Sequence, residues 1–232
     1  MGLTILHTND LHGKLTAGRL DFLKQLRPAA DLFFDCGDCI KSGNLAIPLG
    51  PDPVWPMLAD AGITASVPGN RESHVLESVV RVKTGGAVHP ILCSNWFRND
   101  GSPVFQGPTL LDAGGFRIGV FGVMVPMVTE SMATRRASQF VWGSPIPAAV
   151  EAAKQLRPDC DLLVALTHIG YGQDQKLLAA APQIDLVLGG HSHTVLEGPG
   201  NIRQTGSHGR FIGRYVWDGG LVSAELIPWG GA

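Results

Sequence analysis

The stretch Ile184-Asp-Leu-Val-Leu-Gly-Gly-His-Ser-His193 reads as a strand, Ile184 to Leu188, that runs out into two glycines and a pair of histidines. The same pattern recurs up the chain. Asp161 to Thr167 is a buried strand ending in His168, and Ile63 to Val67 is a strand broken by Pro68-Gly69 ahead of Asn70-Arg71-Glu72. Asp31 to Asp35 is a short apolar strand ending at Gly37-Asp38, and Leu3 to Thr8 is a strand followed by Asn9-Asp10-Leu11-His12. Polar residues therefore gather at the C-terminal ends of successive strands, where open α/β sheets place their ligands. The glycines beside them, Gly13, Gly37, Gly69, Gly189 and Gly190, permit tight turns that aim those side chains at one spot.

Helical spacing fills the intervals. Ala17 to Arg27 sets Leu20, Leu23 and Leu26 on one side, and further helices are expected near Val54 to Ala61, about Arg71 to Lys83, Pro147 to Leu156 and Gln173 to Ala180. Pro90 to Ser94 reads as another strand, and Thr109 to Asp112 with Phe116 to Val123 as a hairpin about Gly114-Gly115. The last third shortens into β segments: Asn201 to Thr205, Phe211 to Val216 and Leu221 to Ile227. Strand-helix alternation with some hairpins implies α/β packing, sheets lying between helices. No repeat or linker interrupts it, so residues 1–232 are expected to form one domain.

Composition excludes several classes. The chain has 232 residues, 44% of them hydrophobic, and a formal net charge of −2. It is too apolar and too nearly neutral for a disordered chain. It has no basic footprint for gripping nucleic acid, and no apolar run of the roughly 20 residues that a membrane span needs. The start, Met1-Gly-Leu-Thr-Ile-Leu6, has neither the charged and apolar regions of a signal peptide nor a Ser or Thr where myristoylation wants one. With four cysteines and no secretory address, a cytoplasmic location with free thiols is expected. Cys36-Gly-Asp-Cys39 reads as two small buried residues rather than a redox pair. Cys93 and Cys160 read as core, and Trp55, Trp96 and Trp142 fall in or near loops, where one could shape a pocket.

The strand ends carry the chemistry. Carboxylate, carboxamide and imidazole groups from five of them make a mixed O/N cage suited to Mn, Fe, Zn or Co. Seven candidates, Asp10, His12, Asp38, Asn70, His168, His191 and His193, exceed what one tetrahedral ion uses, so two divalent ions sharing a carboxylate is the natural count.

Thr8-Asn-Asp-Leu-His-Gly13, Gly37-Asp38, Pro68-Gly-Asn70, Thr167-His-Ile-Gly-Tyr-Gly-Gln-Asp174 and Gly189-Gly-His-Ser-His193 together resemble the calcineurin-like metallophosphoesterases. Gln204 to Arg214 resembles the closing Gly-rich motif of their 5′-nucleotidase branch, whose catalytic domain is the nearest match. The resemblance implies a four-layer α/β/β/α sandwich with two mixed β-sheets. It also implies that Asp10, His12 and His193 hold a first metal, that Asn70, His168 and His191 hold a second, and that Asp38 bridges both. The implied reaction is hydrolysis of a small phosphate ester, of 5′-nucleotidase monoester type, by a metal-bridging hydroxide. Substrate specificity does not follow, because in that branch a separate C-terminal domain supplies the nucleoside-binding aromatics, and this sequence stops at Trp229-Gly-Gly-Ala232.

One motif departs from the family. Where a histidine usually follows the asparagine, with an acidic residue three positions on, this chain has Arg71 and His74. A guanidinium cannot protonate a leaving group at neutral pH but can stabilise transition-state charge. Arg71 is therefore expected to clamp phosphate and His74 to supply the acid, both on one face of a helix starting there. The departure also leaves open a metal-binding but non-catalytic recognition module, or a phosphodiesterase. Among the other histidines, His7 reads as buried behind the ligands, His208 as a solvated loop residue that could instead line the phosphate site, and His89 as a surface residue.

Overall fold

A computed structural model of the chain describes residues 2–230; Met1, Gly231 and Ala232, from the terminal stretches quoted above, lie outside the described residues. Five strands form the first sheet: β1 (Leu3–Thr8), β2 (Leu32–Asp35), β3 (Ala65–Ser66), β11 (Phe211–Trp217) and β12 (Leu221–Pro228). Their order is β12-β11-β1-β2-β3, with β1, β2 and β3 parallel and the last two antiparallel. The second sheet comprises β5 (Thr109–Ala113), β6 (Phe116–Met124), β8 (Leu162–His168), β9 (Leu186–Gly189) and β10 (Ile202–Arg203). It runs β10-β9-β8-β6-β5, parallel except for the β5–β6 hairpin.

Side-chain alternation explains the layering. Along β8, Leu162, Val164 and Leu166 face Leu3, Ile5 and Phe34 of the other sheet, while Leu163 and Ala165 point away. The outward residues pack under helices α4 (Pro145–Leu156) and α5 (Tyr171–Ala180), through Ala149, Ala153, Leu156 and Leu177. On the first sheet, Leu6 and Phe33 turn outward against α1 (Ala17–Leu26) and α2 (Val54–Asp60), through Leu23 and Leu58. The result is the expected α/β/β/α sandwich. Both faces of the inner strands are buried, which is why they read as unbroken apolar runs.

Three expectations need correction. The helix expected from Arg71 begins only at Glu77 (α3, Glu77–Thr84), and Asn70 to Leu76 form an irregular turn. The carbonyls a helix would use are taken elsewhere: Arg71 O and Ser73 O both accept from Lys83 Nζ, at 2.8 Å each. Glu72 is drawn inward as well, accepting from the backbone N–H groups of Asp38 (2.9 Å) and Gly69 (2.8 Å). Arg71 and His74 therefore share no helical face.

The tryptophans lie at or next to the ends of short elements, near loops as expected. Trp96 in β4 (Trp96–Arg98) and Trp142 in β7 (Phe140–Trp142) pair in a small two-stranded sheet and stack at 4.6 Å. Trp55 is buried in α2. His89, expected on the surface, is largely buried against the Trp55 ring and 2.9 Å from Ser66 Oγ; desolvation pushes its pKa down to about 4. The strand expected at Pro90 to Ser94 survives as isolated bridges, Ser66 to Ile91 and Leu92 to Gln106. By contrast, Cys36, Cys39 and Cys93 are buried as expected, and burial raises all three thiols, which makes them poor nucleophiles.

The 92–94 segment passes so close to β6 that a Cβ on Gly122 would run into the Leu92 carbonyl. Gly122→Ala should therefore cost about 1–3 kcal/mol in urea unfolding. Gly43→Ala, with open space around it, should change stability by less than about 0.5 kcal/mol. Equal effects would mean that the close approach is not a constraint.

Candidate metal centre

Every strand end predicted to carry a polar residue arrives at one place. Asp10 and His12 follow β1, Asp38 follows β2, Asn70 follows β3, His168 closes β8, and His191 and His193 follow β9. The backbone there is unusual. Among the described residues, the non-glycine positions with positive φ are Asp10, His12, Asp38, His191, His193 and His208. Five are predicted ligands, and each sits in a conformation that L-residues adopt only under constraint.

The side chains converge. His12 Nε2 lies 3.0 Å from His193 Nε2, and Asp10 Oδ1 lies 3.2 Å from His193 Nε2. Asn70 Oδ1 is 3.3 Å from His168 Nε2 and 3.0 Å from His191 Nδ1. Asp38 stands between the groups, with Oδ1 3.5 Å from His168 Nε2 and Oδ2 3.9 Å from His12 Nδ1. Asp10, His12 and His193 are close enough to hold one ion, and so are Asp10, Asp38 and His168.

A divalent cation fits this donor set on structural grounds. His12 Nδ1 is buried with no hydrogen-bond partner, and buried Asp10 Oδ1 has only the His193 ring beside it, a costly state unless another charge serves them. His168 donates Nδ1–H to Cys36 O at 2.7 Å, so in the neutral ring Nε2 is the free nitrogen and faces Asp38. Burial disfavours protonation of His168, yet Asp38 and Asp10 outweigh it and hold its pKa above the ordinary value. Desolvation, with Arg71 nearby, pushes His12 down to about 4, and desolvation raises Asp38 to about 6 against the pull of His168. The cluster is thus crowded with groups that want a positive partner.

Residues within the same motifs, given no role from sequence, hold the ligands in place. Asn9 Nδ2 donates to Asp10 Oδ2 at 2.7 Å while Asn9 Oδ1 accepts from Thr205 N and Oγ1. Glu72 fixes the backbone of Asp38 and Gly69. Gln204 accepts from Ser192 Oγ and donates to Gly190 O and to Asp174, whose carboxyl burial raises to about 6. Gly190 is obligatory, since a Cβ there would fall 2.6 Å from Cys36 O and 3.0 Å from Asp10 Oδ2.

Arg71 edges the cluster, with Nε 3.7 Å from Asp38 Oδ2 and Nη1 donating to Lys41 O at 2.9 Å. His74 is not brought into it. Its Nδ1 accepts from Leu76 N at 3.1 Å, and its ring lines a neighbouring apolar groove. His208 is exposed, as expected of a loop residue, and its ring stands 4.8 Å from that of His12 at the rim of the cluster. His7 is fully buried beside Tyr215, as expected, and burial pushes it down to about 3.

Known proteins resemble the chain along most of its length. A 5′-nucleotidase of Vibrio vulnificus (strain CMCP6) is 26% identical across 97% of this chain and 51% of its own length. The trifunctional nucleotide phosphoesterase protein YfkN of Bacillus subtilis (strain 168) is 26% identical across 91% of this chain and 18% of its own. The chain thus spans about half of the first relative and less of the second. A 5′-nucleotidase precursor from Thermus thermophilus shares the fold, with a TM-score of 0.78 at 21% identity, covering 98% of this chain and 54% of that one. Residues 3–195 match the sequence model of a whole family, described as calcineurin-like phosphoesterase. The chain belongs to the calcineurin-like phosphoesterases.

Proposed function

We propose that the chain hydrolyses small phosphate monoesters, the reaction class of the 5′-nucleotidase relatives, at a centre of two divalent ions. Asp10, His12 and His193 would hold one ion, Asn70, His168 and His191 the other, with Asp38 shared. The observation that carries this reading is Asp38, whose two oxygens face His168 and His12 from opposite groups of donors. Bound there, such ions supply Lewis acidity toward a phosphoryl oxygen and a water acidic enough to attack at neutral pH.

The chain's own residues do the rest. Arg71, at the edge of the cluster, pairs with phosphoryl oxygens and balances the charge that builds on them. His208, beside His12, faces the same anion. Protonation of His74 displaces the hydrogen bond that Nδ1 accepts from Leu76 N, and the imidazolium so formed gives its Nε2 proton to the leaving oxygen. Burial, then the nearby Lys83, lowers the His74 pKa, which makes its protonated form the stronger acid. Asn9, Glu72 and Gln204 keep the ligand loops from relaxing.

Three substitutions test this reading. With p-nitrophenyl phosphate and added Mn, Asp38→Ala should lose more than the roughly 10–100-fold typical of a residue behind the ligands. It should also lose the rise in melting temperature that metal gives the unaltered protein; retention of both contradicts a shared carboxylate. Arg71→Ala should lower kcat/KM about 10²-fold on alkyl and p-nitrophenyl esters alike. His74→Ala should lower it about 10²-fold on alkyl esters and less than about threefold on p-nitrophenyl esters, whose leaving group needs little protonation. Equal losses on both classes would remove His74 as the acid.

A further inference from the structure

An apolar groove of about 150 Å³ opens beside the cluster. One wall is the irregular turn at Ser73, His74 and Val75 with Leu45 from the preceding loop, and the other is Met127, Val128 and Trp142. Both walls are tied to predicted ligands by hydrogen bonds. Ser73 Oγ donates to Asn70 O at 2.7 Å, and Val125 N, two residues before Met127, donates to His168 O at 2.9 Å. The groove therefore lies beside the Asn70–His168 group of donors.

The turn is held open rather than collapsed. Lys83 Nζ, buried beneath it, donates to Gly43 O and Asn44 O of the Leu45 loop and to Arg71 O and Ser73 O of the turn. Both sides of this wall thus hang on one ammonium group. Leu45 is 82% exposed, a large apolar side chain with no protein partner covering it at the edge of the groove. His74 is the polar residue in this wall with a proton to give a leaving oxygen.

We propose that this groove receives the alcohol portion of the substrate, and that the chain favours phosphate esters whose alcohol carries one apolar ring. The volume matches a single six-membered ring, since a dry cavity of about this size binds benzene. The inference rests on the proposed hydrolase reading for the position of the phosphate.

Affinity for non-hydrolysable probes tests it apart from turnover. Benzylphosphonate and methylphosphonate are titrated calorimetrically into the Mn-supplied chain and into two variants, Val75→Asp and Leu45→Ser. The unaltered chain should bind benzylphosphonate at least about tenfold more tightly, and either variant should shrink that preference to within about threefold. Because Leu45 is exposed, Leu45→Ser keeps the test valid should Val75→Asp fail to fold. Equal affinities in the unaltered chain, or a preference that survives both variants, overturn the groove. If no ester is turned over yet the benzyl preference holds and responds to the variants, the hydrolase reading fails and the groove stands.

Discussion

Everything in this structure answers to one constraint: donor atoms from five strand ends must meet at one point, and the backbone must be bent into the left-handed region to let them. Asp10, His12, Asp38, His191 and His193 all carry positive φ. Each such residue costs on the order of 1 kcal/mol, so five together consume a sizeable share of a domain's net stability of about 5–15 kcal/mol. Such strain persists only where surrounding structure imposes it. Here two sheets buried on both faces supply rigid strand ends, and the loops have almost no freedom once leaving them.

Buried polar residues enforce the geometry from below. Asn9, Glu72 and Gln204 each spend several hydrogen bonds on the backbone or side chains of the ligand loops. Lys83 does the same for the Arg71 turn, its three N–H groups shared among four carbonyls from two segments. A buried ammonium without a carboxylate contact is costly, and desolvation pulls the Lys83 pKa down to about 8. What it secures is a non-helical turn that puts Arg71 at the cluster and His74 in the groove, so the departure from the family's usual histidine is accompanied by its own support.

The sandwich was legible because strands buried on both faces, such as Leu162 to His168, are apolar throughout and end abruptly in glycine and polar residues. The converging donor cluster was legible for the same reason, since a polar residue after such a strand has no packing role. What failed was local. Arg71 to Lys83 has helical composition, but Lys83 reaches back and captures its carbonyls, a tertiary contact that no periodicity encodes. The Trp96–Trp142 sheet is two three-residue strands far apart in sequence, too short to show alternation. His89 looked like a surface residue because nothing local reveals that Trp55 covers it, and His208 only meets His12 once β11 pairs with β1.

The central claim is that these converging donors hold two ions with Asp38 between them. Anomalous diffraction from crystals of the chain grown with Mn tests it most directly. The account predicts two separate peaks, one among Asp10, His12 and His193 and one among Asn70, His168 and His191, with an Asp38 oxygen reaching each. A single peak, or metal bound away from Asp38, would contradict it.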